Sequence, residues 1–159
     1  MIKRITIALF IGFFLSLNTL TAMVSFFVVE TGLPESREET SQALLWENAF
    51  LDVFFEAGFI VSNAPVARLH TIPQNNLLEA VALDFTDARS MGIDYILIAI
   101  LDFDFDLQSP SEISFYIYNV SQEEKILERQ IPGRTYGSER EEFDDLKAIA
   151  RGLVPIIRQ

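Results

Sequence analysis

The chain has no cysteine, one histidine and one tryptophan, and among its 159 residues only seven glycines and six prolines. Without cysteine there is no disulfide framework, no structural Cys-zinc site, no thiol nucleophile and no lipid-modified cysteine. The glycines stand singly, so no Gly-rich loop offers backbone N–H groups to a phosphate, which disfavours nucleotide binding. Cations are sparse too: 12 Lys and Arg stand against 23 Asp and Glu, a formal net charge of −11. Binding nucleic acid requires cations that displace counterions from phosphate, so no nucleic-acid partner is expected. What the chain does have is apolar bulk, half of its residues including 14 Phe. A chain this apolar folds, and its length suits one core.

Charge is also missing from a long stretch near the start. Lys3 and Arg4 precede Ile5 to Leu17, apolar apart from Gly12 and Ser16, and Asn18, Thr19 and Thr21 lead to small Ala22. That order reads as a secretory signal peptide over residues 1–22, although Leu20 stands where a small residue is usual. The competing reading is an uncleaved anchor. Ile5 to Val29 carries no charge and exceeds the roughly 20 apolar residues a bilayer span takes. Against it, Val24-Ser25-Phe26-Phe27-Val28-Val29 is β-branched and aromatic, as a buried strand should be, and Glu30-Thr31-Gly32 ends it. The polar break from Asn18 to Thr21 favours the signal followed by a strand. Either way the body of the chain, residues 23–159, is expected outside the cytoplasmic membrane, in the periplasm or associated with the envelope. Membrane contact is expected only through the N-terminal segment, if it stays uncleaved.

Capping residues and Gly or Pro divide residues 23–159 into elements. Ser36-Arg37-Glu38-Glu39 is a capping box opening a helix that should stop at Gly58. Its apolar side is Ala43, Trp46, Ala49, Phe50, Val53, Phe54 and Ala57 at helical spacing. Phe59-Ile60-Val61-Ser62 reads as a short strand, and the connection through Pro65 and Pro73 as irregular. Asn76 with Glu79 opens one second helix with Leu78, Val81, Ala82, Phe85 and Ala88 inward, closed by Gly92. Ile93 to Leu101 is nearly all apolar, as a strand covered on both faces is. Ile113, Phe115 and Ile117 alternate with Ser114, Tyr116 and Tyr118, a half-buried strand. Ser121 to Glu124 turns the chain into a strand from Lys125 to Ile131. Ser138 and Glu141 then cap a helix that Pro155 should kink or end. The order β-α-β-α-β-β-β-α predicts one α/β domain with a mixed sheet.

Few residues suggest chemistry. Asp102-Phe103-Asp104-Phe105-Asp106 has the carboxylate spacing of a calcium loop, but Leu107 stands where that loop needs Gly and Ile113 where it needs Glu. Were the strand to continue, the three Asp would share one face, where charge discourages edge-to-edge aggregation. Ca²⁺ at this cluster is thus the lesser reading, and no other cofactor is indicated. His70 is a lone histidine in a Pro-flanked connection with no recognisable nucleophile, so no catalytic set is assigned. Trp46-Glu47 reads as a core aromatic beside a solvated charge. The carboxylates of Glu38/Glu39 and Glu139 to Asp145 complement helix dipoles. Asn119-Val120-Ser121 matches a glycosylation sequon at a strand end.

From Gly92-Ile93-Asp94-Tyr95-Ile96-Leu97-Ile98 onward the chain resembles the N-terminal domain of the TolB periplasmic protein. That fold is shared by the curli-secretion lipoprotein and by an outer-membrane activator of penicillin-binding proteins. Ile113 to Val120 and Lys125 to Glu128 fit the family's hairpin and Glu142 to Ile157 its closing helix, while Val24 to Val61 fits its opening more loosely. Ala99 departs from the family's frequent Gly, and the turn from Ser121 to Glu124 lacks one. The resemblance implies an envelope protein that works by contact rather than catalysis. The expectation is therefore a non-enzymatic interaction module binding another envelope protein, with Tyr116 and Tyr118 as contact residues, since aromatics are enriched at interfaces. The alternative is an ion-dependent ligand-binding or hydrolytic domain using Asp102, Asp104 and Asp106. A third possibility is self-association along the hairpin edge, Lys125 to Ile131.

Overall fold

Side-chain alternation along the two central strands explains why both faces of the sheet are covered. In β1 (Met23–Thr31), Val24, Phe26 and Val28 join one apolar cluster while Phe27 and Val29 join another. In β4 (Tyr95–Asp102), Leu97, Ala99 and Leu101 divide from Ile96, Ile98 and Ile100 in the same way. Successive strand residues point to opposite faces, so unbroken apolar runs need a protein layer on each side. The computed structural model describes residues 21–33, 41–69, 77–104 and 109–158. Most of the expected signal segment, the Ser36 capping box, His70, Asn76 and Asp106 lie outside the described residues.

The sheet runs β2 (Ile60–Asn63), β1, β4, β5 (Glu112–Asn119), β6 (Glu124–Pro132), and β3 (Ala67–Leu69) also pairs with β1. The strands β2, β3 and β4 are parallel to β1, whereas β5 and β6 are antiparallel to their neighbours. This is the mixed-sheet α/β class the sequence predicts. On one face α1 (Ser41–Glu56) and α4 (Glu139–Ile157) bury Trp46, Phe50 and Phe54 together with Leu146, Ala150 and Leu153. Phe50 is the hinge of this layer: its ring lies 4.7 Å from Phe26, 5.6 Å from Trp46 and 5.8 Å from Phe115. On the other face, among the described residues, sit α2 (Leu77–Ala80) and α3 (Phe85–Ser90). Gly58 takes φ +87 and its N–H donates to the Phe55 carbonyl, ending α1 where the sequence predicts.

Four details differ from the sequence reading. The first strand does not end at Glu30-Thr31: both belong to β1 and are buried. Gly32, at φ +77, makes the break instead, where a Cβ would stand 1.9 Å from the Phe103 carbonyl oxygen. The connection after β2 is not wholly irregular. β2 pairs with Met23–Phe26 and β3 with Val29–Thr31, so Ala64-Pro65-Val66 faces only Phe27-Val28. Pro65 has no N–H to give the ladder, and the extra residue bulges out before pairing resumes. The single helix closed by Gly92 is two helices. Ala82 adopts φ +49, the Leu83 N–H closes back onto the Leu78 carbonyl, and Asp84 caps α3 by accepting from the Asp87 N–H at 2.7 Å. Pro155 lies inside α4, which continues to buried Ile157. So near the C-terminus, the one hydrogen bond it forfeits is outweighed by that burial.

Candidate functional site

The alternation in β5 places the two tyrosines. Ile113, Phe115 and Ile117 enter the α1/α4 layer, which turns Ser114, Tyr116 and Tyr118 to the opposite face. There α2 and α3 bury their apolar side chains against β1 and β4, and no β6 residue belongs to that cluster. Among the described residues the β6 side of this face is therefore the less covered part of the sheet. Tyr118 packs edge-on against Phe85 of α3, ring centroids 6.0 Å apart, at the margin of the covered part. Tyr116 stands one pair farther along the strand, opposite Glu128, with the Lys125 ammonium 5.6 Å from its ring centroid. Both are half-buried. Burial raises the Tyr118 phenol above its ordinary pKa, with Lys125 opposing, so the hydroxyl remains a neutral donor at physiological pH. The rim is polar: Lys125 binds Glu128, Gln130 binds Glu112, and Arg89 meets Glu123 at 2.8 Å. Aromatic bodies inside a ring of polar groups are the composition of a protein-contact patch.

The aspartate run is divided by the end of β4. The strand stops at Asp102, so it does not continue to carry three carboxylates on one face. Asp102 accepts the Thr31 hydroxyl at 2.7 Å, and its carbonyl accepts from the Ser111 N–H at 2.8 Å and hydroxyl at 3.1 Å. These bonds tie β1, β4 and the start of β5 together. Phe103 is buried and Asp104 exposed. Among the described residues no three His, Cys, Asp or Glu side chains are grouped to hold a metal ion.

Three polar arrangements escaped the sequence reading. The Glu30 carboxylate, fully buried, accepts from Arg68 Nε at 2.9 Å and joins β1 to β3. Glu47 is not a solvated charge either: it is 7% exposed and accepts from Asn63 Nδ2 at 3.3 Å beside a shallow cleft lined by Leu44, Pro65 and Val66. A carboxylate continuing the apolar run of β1 was the available signal for the first pair. At the same end, Arg134 grips the Asp145 carboxylate with contacts of 3.0 and 2.9 Å, and Tyr136 donates to it at 2.7 Å. Burial, then that hydrogen bond, pushes the Tyr136 phenol well above its ordinary range. In each case a charge is matched by a partner that holds two elements together.

A mixed sheet with two long helices on one face and two short ones on the other defines a small α/β domain. A family model described as "Uncharacterised protein" matches residues 24–126, more than half of the chain, and the chain belongs to that family. No curated protein sequence matches it. Among solved structures, a PelC dodecamer from Paraburkholderia phytofirmans has a TM-score of 0.50 at 17% identity, covering 87% of this chain and 90% of PelC. TolB from Acinetobacter baumannii, the family named from the sequence, has a TM-score of 0.46 at 14% identity over 85% of this chain. The chain covers 29% of TolB's length. The C-terminal domain of LpoB from Salmonella enterica has a TM-score of 0.45 at 14% identity, covering 79% of this chain and 92% of that domain. The shared property is the fold.

Proposed function

We propose that this protein is a non-enzymatic module of the cell envelope whose task is to bind another envelope protein through the less covered face of β5 and β6. The observation that carries the proposal is the position of Tyr116 and Tyr118, half-buried on one face of β5 at the margin of the cluster that α2 and α3 cover. Interfaces favour such rigid aromatic anchors inside a polar rim. The envelope location is supported by the order of Lys3, Arg4 and the apolar run Ile5 to Leu17. Among the described residues no helix is long and apolar enough to cross a membrane.

The test is a photoreactive benzophenone side chain placed at position 116 of the full chain in living cells, with position 140 as control. One cross-linked adduct with a second envelope protein is expected from position 116, and none from Arg140, which is exposed on α4. The adduct should survive a chelator, which the ion-dependent reading does not allow. An adduct only with another copy of the chain would replace the proposal with self-association along β6, whose outer edge carries Glu124, Lys125, Glu128 and Arg129. Equal labelling from both positions, or none from 116, would overturn it.

A further inference from the structure

The large apolar side chains left exposed among the described residues are Leu44 at 48%, Phe55 at 70%, Ile60 at 53% and Met91 at 61%. Three of the four lie at one end of the sheet. The strands β1, β2 and β4 run parallel and all begin there, so α1 and α3, which lead back to β2 and β4, finish there. Phe55 is in the last turn of α1, Ile60 opens β2, and Met91 caps α3. The three thus represent one face of the sheet, its edge and the other face.

The chain itself arrives at this end. The Ala22 carbonyl accepts from the Ile60 N–H at 3.0 Å. The Met23 carbonyl accepts from the Asp94 N–H at 2.9 Å, and the Met23 N–H donates to Asp94 Oδ2 at 2.8 Å. Ala22 and Met23, inside the charge-free run from Ile5, are therefore clamped between Ile60 and the turn that bears Met91. Arg158 sits at the same end of this acidic molecule and donates to the Ala57 carbonyl with its guanidinium 5.6 Å from the Phe59 ring centroid. Arg89 is there too, paired with Glu123 at 2.8 Å, and Glu56, Asp94 and Glu124 are exposed beside them. At the opposite end the exposed described residues include Arg134, Thr135, Gly137, Ser138, Glu139 and Arg140, with Leu44 the one exposed large apolar side chain among the described residues there.

We infer that the end where the chain arrives is a lipid-docking surface. Phe55, Ile60 and Met91 enter the interfacial layer of a bilayer, and Arg158 lies at the level of the phosphates. Exposed apolar side chains gathered at one end are a composition that holds a protein in that layer. An apolar run reaching the domain between Ile60 and Asp94 brings this end, and not the other, to the membrane. The docking surface is separate from the tyrosine face and extends the contact expected from the N-terminal segment alone.

The absence of cysteine makes the test clean, because a single introduced thiol is the only one in the full chain. Phe55→Cys, Ile60→Cys and Met91→Cys, each exposed, are labelled with a polarity-sensitive fluorophore, as are Thr135→Cys and Arg140→Cys. Vesicles of phosphatidylethanolamine and phosphatidylglycerol are then added. The expected result is a blue shift of emission at positions 55, 60 and 91 and none at 135 and 140. In the unlabelled chain, Phe55→Asp together with Met91→Asp should lower vesicle partitioning about tenfold. A chain that sediments with vesicles while all five labels stay unshifted, shifts equal at both ends, or no sedimentation at all would each overturn the inference. A shift without vesicles would also overturn it, and dilution names the occupant: a signal that fades means a second copy, one that persists means the chain's own N-terminal segment.

Discussion

The two faces of the sheet are made by the same strands and the same alternation, yet they end differently. On one, helices of 16 and 19 residues bury a continuous aromatic layer around Phe50. On the other, among the described residues, helices of four and six residues reach β1 and β4 and leave the β6 side less covered. Strand pattern alone does not decide whether an aromatic becomes core or contact surface. Phe115 and Tyr116 are adjacent in sequence, and one is fully buried while the other is half-exposed. The length of the covering helix makes the difference, because a helix of one or two turns cannot span five strands about 4.8 Å apart.

The most severe way to test this contrast is to remove the centre of the long-helix layer. Phe50→Ala deletes a ring that touches Phe26, Trp46 and Phe115 and should cost about 3–5 kcal/mol in urea unfolding. On the other face Leu78→Ala should cost about 2 kcal/mol, because four-residue α2 can settle into part of the space. Amide hydrogen exchange should follow the same ranking, with α2 and α3 opening before α1 and α4. Equal losses from the two substitutions would erase the distinction.

The tyrosines sharpen the contrast within one strand. Tyr118→Ala removes an edge-on contact with Phe85 and should cost about 1 kcal/mol. Tyr116→Ala should cost less, about 0.5 kcal/mol, since its ring packs only at the margin of the second cluster, beside Lys125 and Glu128. A Tyr116 loss matching that of Tyr118 would make both of them core residues.

How far the sequence discloses this arrangement follows from which interactions are local. The run from Tyr95 to Leu101 announces a doubly covered strand, and the alternation from Ile113 to Tyr118 announces which tyrosines face away from the long helices. Gly58 and Ser138 mark helix ends by local hydrogen bonding, and both do so in the structure. The three residues of β3 have no such signature, because their pairing with Val29–Thr31 depends on a strand far back in the chain. Ala82 in the left-handed region divides the middle helix without a glycine to signal it. Glu30 meets Arg68 at a separation of 38 residues, a distance over which composition carries no information. The candidate surface was therefore legible in its residues and not in its extent, since the extent depends on where α2 ends.

The finest test concerns a weak point in the well-packed layer itself. Glu142 of α4 faces α1, where Gln42 Nε2 donates to its Oε1 at 3.3 Å. Burial raises its pKa above the ordinary 4.5; the Gln42 hydrogen bond opposes the shift and Glu139 adds to it. The folded chain then holds this proton to higher pH than the unfolded chain does. Between 4.5 and the raised folded value the folded state binds more protons, so this group's contribution is fully present below 4.5 and is lost as pH rises through that window. Glu142→Gln keeps an acceptor for Gln42 and abolishes the titration. Its urea midpoint should exceed that of the parent at neutral pH by the smallest margin of the effects predicted, and the two should converge below pH 4.5. If the midpoints ran parallel across the whole range, Glu142 would be fully solvated and the α1–α4 contact would be looser at its N-terminal end than at Phe50.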